Sequence, residues 1–135
     1  MEIRIVTDNE FDQLCNLTVA MYKSIDPSIT AYGAINTLLY FTTQENFICV
    51  GLFENNKLIG FTFGHKFKTK CFLFSGIYVI IKNNRHLKKL IGFSFAYIKD
   101  LGYTSWVVDA TNDNIGSIMQ KYNAISKFVR YEGDL

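Results

Sequence analysis

Three stretches in the middle of the chain, Phe47 to Phe53, Leu58 to Phe67 and Cys71 to Ile81, are rich in β-branched and aromatic residues. Only Glu54-Asn55-Asn56-Lys57 and Lys68-Thr69-Lys70 separate them. Connections that short join neighbouring antiparallel strands, because a parallel crossover needs about a dozen residues. The two asparagines suit the first turn, since Asn tolerates the left-handed backbone region. The spacing therefore predicts a three-stranded antiparallel meander. Its third strand is almost continuously apolar, which places it near the centre of the sheet. Ser75-Gly76 interrupts that run, and a glycine within a strand marks a bulge.

The flanks fill out around this meander. Glu2 to Thr7 alternates polar and apolar residues and predicts an opening strand. Asp8 or Asn9 then caps a helix whose apolar face, Phe11, Leu14, Cys15, Thr18, Met21 and Tyr22, runs to about Ile25 before Asp26-Pro27 ends it. Ser28 or Thr30 caps a second helix with Tyr32, Ile35, Leu38 and Leu39 on its buried side. Beyond the meander, Leu87, Leu90, Ile91, Ser94, Phe95, Ile98 and Leu101 keep helical spacing, with Gly102 just past the helix end. Ser105 to Ala110 is a buried strand. Thr111-Asn112-Asp113-Asn114 caps a short helix through about Tyr122, and Ser126 to Tyr131 closes as a strand. No repeat or linker interrupts the 135 residues, so residues 1–135 form one domain.

Composition narrows the classes. Hydrophobic residues make up 49% and aromatic residues 16%, which excludes disorder. No apolar stretch reaches the roughly 18 residues a membrane helix needs, and the N-terminus lacks a signal-peptide pattern, so a cytoplasmic protein is expected. Cys15, Cys49 and Cys71 are widely spaced within apolar patterns, and they read as buried core thiols, not disulfide or zinc ligands. Charge is distributed unevenly. Asn55 to Lys99 holds nine of the fourteen Lys and Arg and none of the twelve Asp and Glu. Its densest part, Lys82-Asn83-Asn84-Arg85-His86-Leu87-Lys88-Lys89, lies where a strand passes into a helix. Backbone N–H groups and the helix dipole favour anions there, and cations at a helix N-terminus are themselves mildly unfavourable. A site for a phosphorylated ligand follows.

The order strand, two helices, three-stranded meander, helix, strand, helix, strand resembles the GCN5-related N-acetyltransferase (GNAT) superfamily over almost the whole chain. Ile77-Tyr78-Val79 looks like the end of that family's fourth strand, and Arg85 to Leu90 occupies its R-x-x-G-x-G turn. Leu101-Gly102-Tyr103 ends the helix, Asp113-Asn114 opens the last one, and Met119 to Ala124 is similar to the L-Y-E-K-L-G-F end of its final motif. The resemblance implies an α+β fold with a mixed sheet splayed between the fourth and fifth strands. It also implies acetyl-CoA as cofactor, with pantetheine between those strands and pyrophosphate on the turn, held by Tyr78, Val79, Arg85, His86, Lys88, Lys89 and Asn114. The implied reaction is direct attack by a primary amine of a small molecule or peptide on the thioester.

Departures from the family pattern bear on the chemistry. Lys88 and Leu90 stand where the family prefers glycine, so charge-assisted bonds from Arg85, Lys88 and Lys89 replace close backbone approach. Met119 stands where many members carry a tyrosine that reprotonates the leaving thiolate, and a thioether donates no proton. Ser75 and Gly76 occupy the place of a frequent general-base glutamate. Asp109 is the best remaining base. Tyr78 and Tyr122 are candidate acids, while Ser75 and His65 are weaker candidates, His65 reading as a surface residue. The alternative is a non-catalytic protein of the same fold, such as a phage virion component suggested by Trp106 to Asn112 and by the Asn- and Lys-rich composition. Its basic face would meet nucleic acid or an acidic partner. No helix-turn-helix spacing or zinc-ligand set marks a sequence-specific DNA reader. The aromatic load on the strands leaves self-association into a homo-oligomer open.

Overall fold

The structure is a computed structural model that describes residues 1–80, 83–109, 125–127 and 130–135. Strand β1 (Glu2–Ile5) leads through a 3-10 turn (Asp8–Glu10) into helices α1 (Phe11–Ile25) and α2 (Ala31–Thr42). The meander follows as β2 (Ile48–Glu54), β3 (Lys57–Lys68) and β4 (Cys71–Val79). Helix α3 (Asn84–Asp100), β5 (Ser105–Asp109), β6 (Ile125–Lys127) and β7 (Arg130–Asp134) complete the described elements. One mixed sheet runs in the order β1-β2-β3-β4-β5-β7-β6. Every neighbouring pair is antiparallel except β4 and β5, which run parallel.

The predicted meander and its turns stand, with Asn55 and Asn56 at φ 50° and 64° as the hairpin requires. The closing strand does not stand as one piece. Where a single strand over Ser126 to Tyr131 is expected, β6 and β7 pair with Lys127 opposite Arg130, and β7 lies beside β5. Beside β5, the register partner of Trp106 is Gly133, where a Cβ would meet the indole ring at 2.5 Å, so β7 has to present glycine there. The helix expected from residue 111 to about Tyr122 lies outside the described residues.

Helix α1 starts differently from the expected Asp8 or Asn9 cap. The Thr7 N–H donates to the Glu10 carboxylate at 2.9 Å, and Arg4 Nη1 donates to the same carboxylate at 2.7 Å while its guanidinium sits 3.8 Å over the Phe53 ring. That pairing orders a tight turn ahead of the α-helix. Thr30 caps α2 as expected, its Oγ1 accepting from the Gly33 N–H at 3.0 Å. The buried side of α2 is corrected. Ala34 and Leu38 are fully buried, whereas Tyr32 is 78% and Leu39 42% exposed. Ala34 adds little to a hydrophobic pattern, yet a small side chain is what permits close approach of a helix, so it turns the aromatic residues outward.

Two apolar layers sandwich the sheet. On one face Leu14, Leu17, Met21 and Leu38 of α1 and α2 cover Cys49, Phe53, Leu58, Phe61 and Phe63. On the other, Ile91, Phe95 and Ile98 of α3 cover Phe72, Phe74, Ile77, Trp106 and Val108, and Leu90 packs on Val50, Leu52 and Ile59. A buried polar link crosses this second interface. Ser94 Oγ donates to the Leu90 carbonyl at 2.8 Å, so the Thr62 hydroxyl, 2.7 Å away, must be the donor to Ser94. Gly102, at φ +101°, stops α3 where the sequence places the stop. Of the cysteines, Cys49 and Cys71 are buried as expected, but Cys15 is partly exposed on α1, and all three are free.

The bulge foreseen at Ser75-Gly76 positions everything that follows. Phe63 pairs with Gly76 and Gly64 with Phe74, which leaves Ser75 as the extra residue. Residues Phe72 and Phe74 before it, and Ile77 and Val79 after it, all face α3. Without the extra residue the second pair would point to the opposite face. Gly76 is required because a Cβ there would lie 2.5 Å from the Phe63 ring.

Candidate active site

Strands β4 and β5 pair from Cys71 opposite Ser105 to Phe74 opposite Val108. Beyond that point β4 continues through Ser75 to Val79 on its β3 partner, with Val79 opposite Gly60, while β5 bonds to β7 as far as Asp109 opposite Arg130. The two parallel strands thus part at the bulge. A parting of this kind exposes backbone polar groups at the carboxyl ends of parallel strands, where open α/β sheets place their ligands.

Helix α3 begins at the same end of the sheet. Asn83 caps it, its side-chain oxygen accepting from the Arg85 N–H at 2.9 Å. The first turn carries no acidic residue, and Arg85, Lys88 and Lys89 are exposed while His86 is half-buried. A helix N-terminus favours anions through its N–H groups and dipole, and this one carries cations instead of carboxylates.

The other half of the basic segment goes elsewhere. Lys57 sits at the β2–β3 turn on the same end as α3's first turn, but Lys66, Lys68 and Lys70 belong to the β3–β4 end, where Lys68 pairs with Cys71. From there to the Gly60–Val79 pair β4 runs roughly 26 Å. Only part of the charge that looks continuous in sequence therefore serves the parting. Lys66 is engaged locally, its Nζ 3.4 Å from Glu45 Oε1.

The site residues expected from sequence divide as follows. Tyr78 and Val79, at the end of β4, share the open end with Arg85, His86, Lys88 and Lys89. Their side chains take opposite faces: Val79 packs in the layer with Leu90, and Tyr78 packs on the α1–α2 side, 6.1 Å from the Phe61 ring. Asp109 ends β5 at the parting, opposite Arg130, and its backbone alone is described. Tyr122 and Asn114 lie outside the described residues. His65 is corrected: it is 9% exposed, stacks 6.0 Å from Phe41, and its Nδ1 lies 2.8 Å from the Lys66 carbonyl, an arrangement that puts the proton on Nδ1. It faces Leu73, on the paired side of the bulge, away from the open cleft.

Trp106 does not fill the parting. It sits at the paired end, 4.8 Å from Phe95, opposite Phe72. Among the described residues two buried side-chain polar atoms have no hydrogen-bond partner, Ser75 Oγ and Trp106 Nε1. The sequence marked Ser75 as part of a bulge, and its isolation becomes visible only in the packed structure. No cluster of metal-ligating side chains occurs among the described residues, and no described helix is long and apolar enough to cross a membrane. Burial pushes the Cys15 and Cys49 thiols above the usual range, which leaves both poor nucleophiles.

Solved acetyltransferases share this architecture from end to end. An aminoglycoside 6'-acetyltransferase of type Ii matches with a TM-score of 0.76 at 12% identity, covering 99% of this chain and 97% of that one. An acetyltransferase of the GNAT family from Staphylococcus aureus Mu50 matches at 0.75 with 13% identity over 99% and 98% of the two chains. The PaiA N-acetyltransferase of Thermoplasma acidophilum, in complex with coenzyme A, matches at 0.70 with 14% identity over 100% of both. No protein-family model and no curated protein matches the chain. The chain has the GCN5-related N-acetyltransferase fold, with the mixed sheet and the parting of its fourth and fifth strands that the sequence led us to expect.

Proposed function

We propose that the protein binds acetyl-CoA at the parting of β4 and β5 and transfers the acetyl group to a primary amine. The observation that carries this reading is the coincidence of that parting with a capped, carboxylate-free, cationic start of α3. The cofactor's pyrophosphate meets Arg85, Lys88 and Lys89 at the helix N-terminus, and its pantetheine arm lies between the strands, offering its amides to backbone groups that β4 and β5 no longer share. In the reaction the amine nitrogen forms a bond to the thioester carbonyl carbon, the C–S bond breaks, and the proton lost by the amine is matched by the one gained by the CoA thiolate. Asp109, at the edge of the cleft, is the group proposed to take the amine's proton. Tyr78, on the α1–α2 side, and Tyr122 are the phenols proposed as donors to the thiolate. No covalent enzyme intermediate is needed.

Calorimetric titration with acetyl-CoA at moderate salt tests this, alongside the variant Arg85→Ala, Lys88→Ala, Lys89→Ala. Micromolar binding that is lost in the variant is expected. No heat and no thermal shift at millimolar acetyl-CoA would overturn the reading and favour a non-catalytic protein whose basic end meets nucleic acid or an acidic partner. Acceptor screening of small amines and peptide N-termini follows a positive result.

A further inference from the structure

The lysines that the β3–β4 hairpin carries away from the parting border a cavity of their own. An open pocket of about 590 Å³ lies at that end of the sheet, between the start of β2, the end of β3 and the end of α3. Its walls divide by chemistry. Phe47 and Ile48, both half-buried, and Leu101, 55% exposed, form the apolar part, while Lys66, Lys70 and Tyr103 bring polar atoms. No acidic residue lines it among the described residues. A volume of this size, with a few placed polar groups on an apolar wall, suits a small organic ligand.

The three polar groups are held in place without being used up. Lys70 sits at φ 58°, and its carbonyl accepts from the Thr104 and Ser105 N–H groups at 2.8 and 3.1 Å, which fixes the turn against β5. Its ammonium has no ion-pair partner among the described residues. Lys66 reaches Glu45 at 3.4 Å, but that carboxylate is 70% exposed, so the pair is a loose surface one that costs little to give up. Tyr103 is 9% exposed, its ring packed edge-on against Phe72 at 5.2 Å. Its hydroxyl makes no hydrogen bond among the described residues, and it is not one of the sealed unpartnered atoms, so it keeps access to solvent in the pocket the residue lines. The dipole of α3 would oppose an anion at this end. Three carbonyls of its last turn, those of Tyr97, Ile98 and Lys99, are however already occupied by the N–H groups of Leu101, Tyr103 and Gly102 at 3.2, 3.2 and 2.9 Å.

We propose that this pocket is a second ligand site, separate from the parting, which binds a small organic oxyanion: a carboxylate or phosphate on an apolar body. The anionic oxygens accept from the ammonium groups of Lys66 and Lys70 and from the Tyr103 hydroxyl. An ammonium group can only donate, so the lysines select a head group that accepts. The apolar body lies on Phe47, Ile48 and Leu101. The site stands at the opposite end of β4 from the cationic start of α3, roughly 26 Å along the strand. Charge separates the two head groups. Lys66, Lys70 and Glu45 together carry one positive charge, which a carboxylate balances, whereas a phosphate dianion would draw Lys66 off Glu45.

Amide chemical shifts of the isotope-labelled full chain test this, with phenylacetate and phenyl phosphate as probes and benzyl alcohol and inorganic phosphate as controls. Saturable shifts are expected at Phe47, Lys66, Lys70 and Tyr103, and they should persist in the Arg85→Ala, Lys88→Ala, Lys89→Ala variant. Lys70→Gln should weaken binding of either anionic probe roughly tenfold. Tyr103→Phe, which keeps the ring packed on Phe72, should weaken it by less, and Glu45→Gln should tighten it, more for the phosphate than for the carboxylate. The tighter of the two probes identifies the head group. No shift at those amides with either probe at millimolar concentration would overturn the inference, as would equal affinity in Lys70→Gln and wild type. Benzyl alcohol binding as tightly as the anions would overturn the charge recognition, and inorganic phosphate binding as tightly as phenyl phosphate would overturn the role of the apolar wall. None of these outcomes bears on acetyl-CoA at the parting, which its own titration decides.

Discussion

Among the described residues, β4 is hydrogen-bonded on both sides below Ser75, and above it on one. In the paired half, Phe72 and Phe74 stack edge-on at 4.8 Å and pack in one cluster with Trp106 and Phe95, so every side chain facing α3 is committed to the core. In the open half the strand keeps its β3 partner and its apolar contacts, but among the described residues its other edge, and one hydroxyl, have no partner. Stability is invested in the first half so that the second can be left unfinished. The parting is therefore not a weak place in the sheet. It is supported by the buried cluster of Phe72, Phe74, Phe95 and Trp106.

That division is open to measurement. The largest effect is expected from Trp106→Ala, which removes a fully buried indole from the paired half and should cost about 3–5 kcal/mol in chemical denaturation. If the halves are separable, the protein that remains folded keeps its acetyl-CoA affinity. Gly76→Val strikes the open half. The added side chain meets the Phe63 ring and should cost about 1–3 kcal/mol, but unlike the tryptophan variant it should also weaken acetyl-CoA binding, because it displaces the bulge. Equal effects of these two variants on affinity would break the comparison. Thr62→Val removes the donor to Ser94 that ties β3 to α3 and should cost about 1 kcal/mol. Combined with Ser94→Ala it should cost less than the sum of the two single changes, since both remove one shared bond.

The smallest effect serves as a control, far from both halves. The hydrogen bonds from Arg4 lower the Glu10 carboxyl from its usual 4.5 to about 2. A carboxylate whose folded pKa is depressed stabilises the protein fully above its ordinary value and loses that contribution as pH falls toward 2. Melting temperatures of wild type and Glu10→Gln should therefore differ modestly at pH 6 and converge only below about pH 2, the pair being too near the surface to contribute much. Acetyl-CoA affinity of Glu10→Gln at neutral pH should match the wild type.

What could be read from sequence was governed by local chemistry. Short turns rich in Asn announce the meander, Gly102 the end of α3, Thr30 the start of α2, and Ser75-Gly76 the bulge, because each depends on backbone geometry within a few residues. The inward face of α2 was missed because Ala34 carries almost no hydrophobic signal while Tyr32 and Leu39 carry much. Burial of His65 under Phe41 depends on how α2 lies over β3, which no local pattern encodes. The register of β7 on β5 depends on Gly133 lying against Trp106, a contact between residues far apart in sequence. For the site, the cationic turn was legible as composition, but its separation from Lys66, Lys68 and Lys70 appears only when the hairpin sends the two groups to opposite ends. The loneliness of the Ser75 hydroxyl is likewise a property of packing, invisible in a list of residues.

The extra residue at the bulge also constrains how this gene can change in length. Ser75 advances the alternation of β4 by one step, so that Ile77 and Val79 face α3 in phase with Phe72 and Phe74. Deleting Ser75 would reverse that phase and drive Ile77 and Val79 into the layer beneath α1, while turning Tyr78 toward α3. Insertions and deletions there should survive only in pairs, or when one restores what another removed. Across diverged copies of the strand, length is thus expected to vary in steps of two.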